Sequence, residues 1–130
     1  MGWLRSALPG SNVTGYYNCI WNGITCLELA KIMLRCIVND SMWDGVRHVY
    51  SDRSISKETL CRLISKIYNM NLNVRSERAE HISGSRPKLG GTIDRTLTTI
   101  HDRIKVSPIE QQIIEMKETK YHIPDYYESQ

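Results

Sequence analysis

The residues of this chain that invite a chemical reading are three cations and one aromatic. Arg86 and Lys88 flank Pro87, and two neighbouring cations on one loop suit a diphosphate, whose oxygens accept charge-assisted hydrogen bonds. Trp21 stands directly before Asn22-Gly23-Ile24-Thr25, where its indole can stack on a nucleotide base or a sugar face. Arg95 follows Asp94 and places a third guanidinium beside a carboxylate. Arg53 is a further candidate for reaching a phosphate, and His48 for donating a proton. Each has a plainer alternative. Trp21 also reads as a core or interface aromatic beside a turn, and His48 as a half-buried strand residue. Arg53 also reads as an ordinary surface arginine, Arg86 and Lys88 as cations of a solvated loop, and Asp94-Arg95 as a local surface ion pair of little energetic value.

These positions depend on the elements that carry them. Asn22 to Thr25 reads as a tight turn feeding a helix. Gly23 supplies backbone freedom, Thr25 caps the helix, and Glu28 closes a capping box. The helix is expected from Thr25 to Asn39. Glu28, Lys31, Arg35 and Asn39 recur every three or four residues as one narrow polar stripe, so the rest of the helix should be buried against two surfaces. Upstream, Trp3, Leu4, Ala7 and Leu8 have helical spacing and stop at Pro9-Gly10, and Val13 to Ile20 is strand-like. Gly45 to Tyr50 reads as a short strand. A second helix is expected from Ser56 to Asn69. Ser56 is its cap, Ile55 and Leu60 form a hydrophobic staple, and Leu60, Leu63, Ile64 and Ile67 form its buried face. Leu72 to Ser76 suits a third strand. Glu77 to Gly91 is polar and Gly-rich, and reads as a binding or mobile loop. Asp94 to Ile104 fits either a short helix or an extended piece. A last helix starts with Ser107 as cap, Pro108 at its first position and Glu110 closing a box. Ile109, Ile113 and Met116 line one side of it, and Tyr121 to Gln130 forms a loose tail.

Composition bounds the reading. The chain has 130 residues, 41% of them hydrophobic and 24% charged, which suits one ordinary folded domain. A net charge of +3 is too small to imply nucleic acid, yet leaves cations for a small anionic ligand. Cys19, Cys26, Cys36 and Cys61 match no zinc-ligand spacing. Cys26 and Cys36 lie too far apart along one helix to be bridged. All four read as reduced thiols, which suits a cytoplasmic protein, and Cys61 as packing. Leu27 to Val38 is broken by Glu28, Lys31 and Arg35 and so does not read as a membrane span. No signal peptide is read in the first ten residues.

The order of these pieces, with their particular residues, resembles the carboxy-terminal half of the dTDP-4-dehydrorhamnose reductases and related extended short-chain dehydrogenases. Gly23-Ile24-Thr25 and Glu28-Leu29-Ala30 look like that family's turn and helix. Gly45-Val46-Arg47-His48-Val49 looks like its Gly-x-x-His strand, and Ser56-Lys57-Glu58-Thr59-Leu60 like its Ser-headed helix. Arg86-Pro87 or Asp94-Arg95-Thr96-Leu97 looks like its later substrate segment. Trp-Asn-Gly-Ile-Thr, Gly-Val-Arg-His and Asp-Arg-Thr-Leu are similar to a bacterial subgroup found with surface-polysaccharide synthesis. The likeness runs from Gly15 to Ile123.

The resemblance implies an α/β fold: the substrate-binding carboxy-terminal part of a Rossmann-type enzyme, without the dinucleotide-binding half. It implies a nucleotide-sugar substrate held by Arg86, Lys88 and Arg95, with Trp21 as an aromatic contact. NADP or NAD is implied for the complete family. The chain itself carries neither a Gly-x-x-Gly-x-x-Gly nor a Gly-x-Gly-x-x-Gly series, and none of its tyrosines has Lys four residues later. Hydride transfer needs a positioned nicotinamide and a proton donor. The expectation is therefore no catalytic residue, no cofactor and no metal in this chain, which reads as a truncated product or as a half working with a Rossmann-domain partner or by self-association. The alternatives are a non-catalytic partner that binds nucleotide sugar or docks onto an intact reductase, and a ligand-free helical adaptor. Neither nucleic acid nor membrane is expected as a partner.

Overall fold

The computed structural model describes residues 7–41, 44–46, 48–80 and 104–119, and the backbone of 86–88 and 92–94. Within them run β1 (Asn12–Tyr16), β2 (Cys19–Trp21), α1 (Cys26–Val38), β3 (Ile55–Ser56), α2 (Lys57–Ile67), β4 (Asn73–Glu77), β5 (Arg86–Lys88), β6 (Thr92–Asp94) and α3 (Ile109–Glu118). The class is α/β, with parallel pairing in both of its sheets.

The first sheet pairs β1 with β4 in parallel, from Asn12 opposite Asn73 to Tyr16 opposite Glu77. A parallel pair needs a long crossover, and here α1 and α2 both fall between the two strands. The expected single strand from Val13 to Ile20 is split by a turn at Tyr17-Asn18. The Asn18 side chain then stands in for backbone: its Nδ2 donates to the Ala79 carbonyl at 2.8 Å, and the Ala79 N–H donates to Asn18 Oδ1 at 2.8 Å. That exchange extends the ladder beyond the last strand residues.

Helix α2 lies on β1. A side chain at Gly15 would meet the Glu58 Cα at 2.9 Å and Val74 Cγ1 at 2.8 Å, so only glycine lets the first turn of α2 come this close. The Ser56 hydroxyl accepts from the Thr59 N–H at 3.0 Å, the expected cap. Cys61 and Ile64 of α2 form the core with Val13, Val74, Ile109 and Ile113. Trp21, Ile55, Leu60, Leu63 and Ile67 pack around it, which includes every residue expected on the buried face. No disulfide joins the cysteines; Cys19, Cys36 and Cys61 are buried and Cys26 is exposed. Burial raises the Cys61 thiol pKa above its ordinary value.

Several expectations are corrected. Gly45, Val46 and His48 to Tyr50 form no strand. Gly45 sits at φ +80°, outside the extended region, and Val46 is 81% exposed. Glu77 to Gly91 is not one loop: Glu77 ends β4, and Arg86–Lys88 form β5. Pro87 is tolerated there because β5 is a sheet edge. Helix α3 begins one residue late, with Pro108 as its cap residue and no side-chain cap bond. The Ser107 N–H is committed to Glu28, and Glu110 is exposed. Residues 1–6, 95–103 and 120–130, with the amino-terminal helical piece, Arg95, most of the Asp94–Ile104 segment and the tail, lie outside the described residues.

The largest correction concerns α1. Its bounds are as expected, with Thr25 and Asn39 as caps, but its buried side is narrow and mixed, and most of its apolar side is uncovered. Glu28, Ile32 and Cys36 are buried, while Leu29, Met33, Leu34, Ile37 and Val38 are 42–74% exposed. Of the polar stripe, Glu28 is buried, Lys31 is half-buried, and Arg35 and Asn39 are exposed; Glu28 goes inward because partners wait for it there. The Ser107 N–H donates to Glu28 Oε1 at 2.8 Å, Lys31 Nζ lies 3.2 Å from Glu28 Oε2, and Lys31 also pairs with Glu115 of α3.

Candidate functional site

The second sheet carries three of the four sequence-selected positions, Trp21, Arg86 and Lys88. Its strand order is β3-β2-β6-β5. Ile20 of β2 stands opposite Ser56 of β3 on one side and Asp94 of β6 on the other, and Asp94 stands opposite Arg86 of β5. One transverse row therefore reads Ser56, Ile20, Asp94, Arg86. Trp21 is the next residue along β2. With strands about 4.8 Å apart, the backbone of Arg86 lies roughly 10 Å from that of Ile20. Lys88 stands opposite Thr92, at the other end of β5. Arg95 follows Asp94 in the chain and lies outside the described residues. The sheet thus gathers Trp21, Arg86 and the residue preceding Arg95 at one end, and sets Lys88 two residues away.

Trp21 is half-buried and packs on the core with Ile55, the residue it opposes on β3. Its indole lies so close to Gly23 that a Cβ there would come within 2.2 Å of Trp21 Cζ2. Gly23 is thus required for close approach and not for a left-handed conformation, since its φ lies outside that region. Trp21 therefore takes part in the core. His48 and Arg53 are exposed in the connection between α1 and β3.

The turn from β2 into α1 has the strand–glycine–helix outline of a phosphate-binding site, but its residues do not fit a dinucleotide. The Thr25 N–H donates to Gln112 Oε1 at 2.8 Å, and the Thr25 hydroxyl accepts from the Glu28 N–H at 3.2 Å. The Glu28 carboxylate occupies the positive end of the helix. Glu28 does not return to the Thr25 N–H as a capping box requires, because Gln112 has taken that donor. Gln112 Nε2 also donates to the Ser51 hydroxyl at 3.3 Å and to the Ser107 carbonyl. Ser51 ties back to the turn through its N–H on the Asn22 carbonyl at 2.7 Å and its hydroxyl on the Gly23 carbonyl at 3.2 Å. Gln112, Ser51 and Ser107 close this buried network, and sequence reasoning gave none of them these partners. The signal available was an amide on the Ile109–Ile113 side of an amphipathic helix.

The charges of the network support one another. Burial alone would raise the Glu28 carboxyl pKa, but the Ser107 N–H and hydroxyl and the Lys31 ammonium hold it below its ordinary value. Glu115 holds the Lys31 pKa up, and Lys31 holds the Glu115 pKa down. Beyond this network, a cavity of about 260 Å³ opens beside the end of α1. Ile32, Cys36, Asn39 and Ser41 line it with two cations, Arg35 and Lys105. Arg35 Nη2 donates to the Lys105 carbonyl at 2.9 Å. Among the described residues, no three His, Cys, Asp or Glu side chains converge as a metal site would need, and no helix is long and apolar enough to cross a membrane.

Set beside known proteins, the α/β fold has a solved counterpart. It is similar to the crystal structure of dTDP-4-dehydrorhamnose reductase from Bacillus anthracis str. Ames in complex with NADP. The TM-score is 0.63 at 17% sequence identity, over 92% of this chain and 41% of that one. The chain therefore spans about two-fifths of the length of that reductase. No family model and no curated protein matches the sequence.

Proposed function

We propose that this chain is the substrate-binding portion of a sugar-nucleotide reductase-like enzyme, inactive by itself. In this reading Arg86, Lys88 and Arg95 meet the diphosphate or the sugar of a nucleotide sugar, and Trp21 edges the base or sugar. The complete reaction is reduction of a keto nucleotide sugar, with the hydride and the proton donor supplied by a cofactor-holding portion. The reading places that chemistry in the cytoplasm, in the supply of surface polysaccharide.

One observation supports it above the others: the transverse row from Ile20 through Asp94 to Arg86. It puts Arg86 two strands across from the residue beside Trp21, at one end of a sheet, in a fold similar to that of a sugar-nucleotide reductase. A guanidinium offers planar paired donors that suit phosphate oxygens better than a lysine does. The filled α1 turn is consistent with a chain that holds substrate and not cofactor.

Titration of the full chain with dTDP-glucose, followed by backbone NMR shifts, tests the reading. Saturable shifts should gather on residues 86–95 and around Trp21, and Arg86→Ala with Arg95→Ala should weaken binding at least tenfold. NADPH should not be consumed when a 4-keto dTDP-sugar is added. Absence of any shift at millimolar dTDP-glucose would refute the proposal.

A further inference from the structure

The cavity at the end of α1 has a chemistry of its own. Its floor is apolar: Ile32 is 2% exposed and Cys36 8%, and Ile104 is half-buried beside them. Its rim holds two cations, Arg35 and Lys105, with the Asn39 amide and the Ser41 hydroxyl. Among the described residues no carboxylate lines it. The Arg35 bond to the Lys105 carbonyl ties the two cationic positions together and uses one of five guanidinium donors. Glu28 Oε1 lies 4.0 Å from Arg35, but it already accepts from the Ser107 N–H, and Lys31 faces the other carboxylate oxygen. Glu28 and Glu115 together balance two of the three cations Lys31, Arg35 and Lys105, so one positive charge is left over at this rim.

The helix end does not cancel that charge. The dipole contributes about half a negative charge there. The Arg35, Cys36 and Ile37 carbonyls accept from the Asn39, Ser41 and Asp40 N–H groups, and two full cations outweigh what remains. A ligand for this place carries one negative charge for the rim and a short hydrocarbon body for the floor. An inorganic anion would leave the floor wet, and a neutral hydrocarbon would leave the cations unmatched. The volume of about 260 Å³ lies below the roughly 300–1,000 Å³ of drug-sized sites, so the ligand is small. We propose that this cavity binds a small amphipathic carboxylate, its charge meeting Arg35 and Lys105 and its hydrocarbon body lying on Ile32, Cys36 and Ile104. The 13 residues of α1, about 20 Å of helix, separate this site from the Trp21–Gly23 end, so the proposal does not depend on the nucleotide-sugar reading.

Benzoate titrated into the full chain and followed by backbone NMR shifts tests it. Saturable shifts should gather on Ile32, Cys36, Asn39, Ser41, Ile104 and Lys105, with Kd on the order of 1 mM, the strength that about ten heavy atoms supply. Benzyl alcohol, which lacks the charge, and inorganic phosphate, which lacks the body, should each bind weaker by roughly tenfold or more. Lys105→Gln and Arg35→Gln, both at exposed positions, should each weaken benzoate binding about threefold with unchanged circular dichroism. No saturable shift with benzoate up to about 20 mM would overturn the proposal. So would phosphate or benzyl alcohol binding as tightly as benzoate, glutamine variants that bind like the parent, or shifts gathered instead on Leu29, Met33 and Leu34. Because dTDP-glucose binding is read on residues 86–95, failure of either proposal leaves the other standing.

Discussion

Removing the Glu28 carboxylate should cost this protein a large share of its stability. The side chain is fully buried, accepts from the Ser107 N–H at 2.8 Å and faces Lys31 at 3.2 Å. Glu28→Ala leaves that N–H without its acceptor and Lys31 without one of its two carboxylates. Breaking a buried pair costs about 3–5 kcal/mol. Lys31 is 36% exposed and keeps Glu115, so solvent and the second carboxylate reduce this to about 2–3 kcal/mol. For a domain of this size that lowers Tm by about 10 °C. Glu28→Gln preserves shape and an acceptor oxygen, so it should lose only about 1 kcal/mol, the value of the charge. The pH dependence separates charge from shape. The Glu28 pKa is lowered in the folded state from 4.5, so its ionised form contributes fully above 4.5 and loses that contribution as pH falls through the folded value. Urea unfolding followed by circular dichroism should show the parent exceeding Glu28→Gln at pH 7, with the gap closing in acid below pH 4.5. A parent and a Glu28→Ala variant of equal stability at pH 7, or a Glu28→Gln gap independent of pH, would refute this account of α1.

Two further perturbations follow from the same packing. Gly23→Ala places a methyl 2.2 Å from Trp21 Cζ2, so the ring must shift; chemical denaturation should show a loss of about 1–3 kcal/mol, with altered tryptophan fluorescence. Thiol titration of the native protein should find Cys26 reacting fast and Cys19, Cys36 and Cys61 only on unfolding, because the latter three are buried.

What was legible in the sequence was local. Ser56 capping α2, and Leu60, Leu63, Ile64 and Ile67 turned to the core, are read correctly because a cap and its helical face involve residues three or four apart. The ends of α1 at Thr25 and Asn39 were legible for the same reason. The shared end of Trp21, Asp94 and Arg86 was not, since β-pairing over such separations leaves no periodic trace, and β5 was read as loop for want of its partner β6. Lys88 falls at the far end of that strand for the same cause.

Periodicity in the sequence by itself determined that α1 has a polar stripe and an apolar face; only the tertiary structure decided which of their residues point inward. The choice was set by Ser107 and Glu115, which lie 79 and 84 residues beyond Glu28 and Lys31. Satisfying a buried carboxylate with an N–H and an ammonium let Glu28 turn inward beside Ile32 and Cys36, and left Leu29, Met33, Leu34, Ile37 and Val38 facing out.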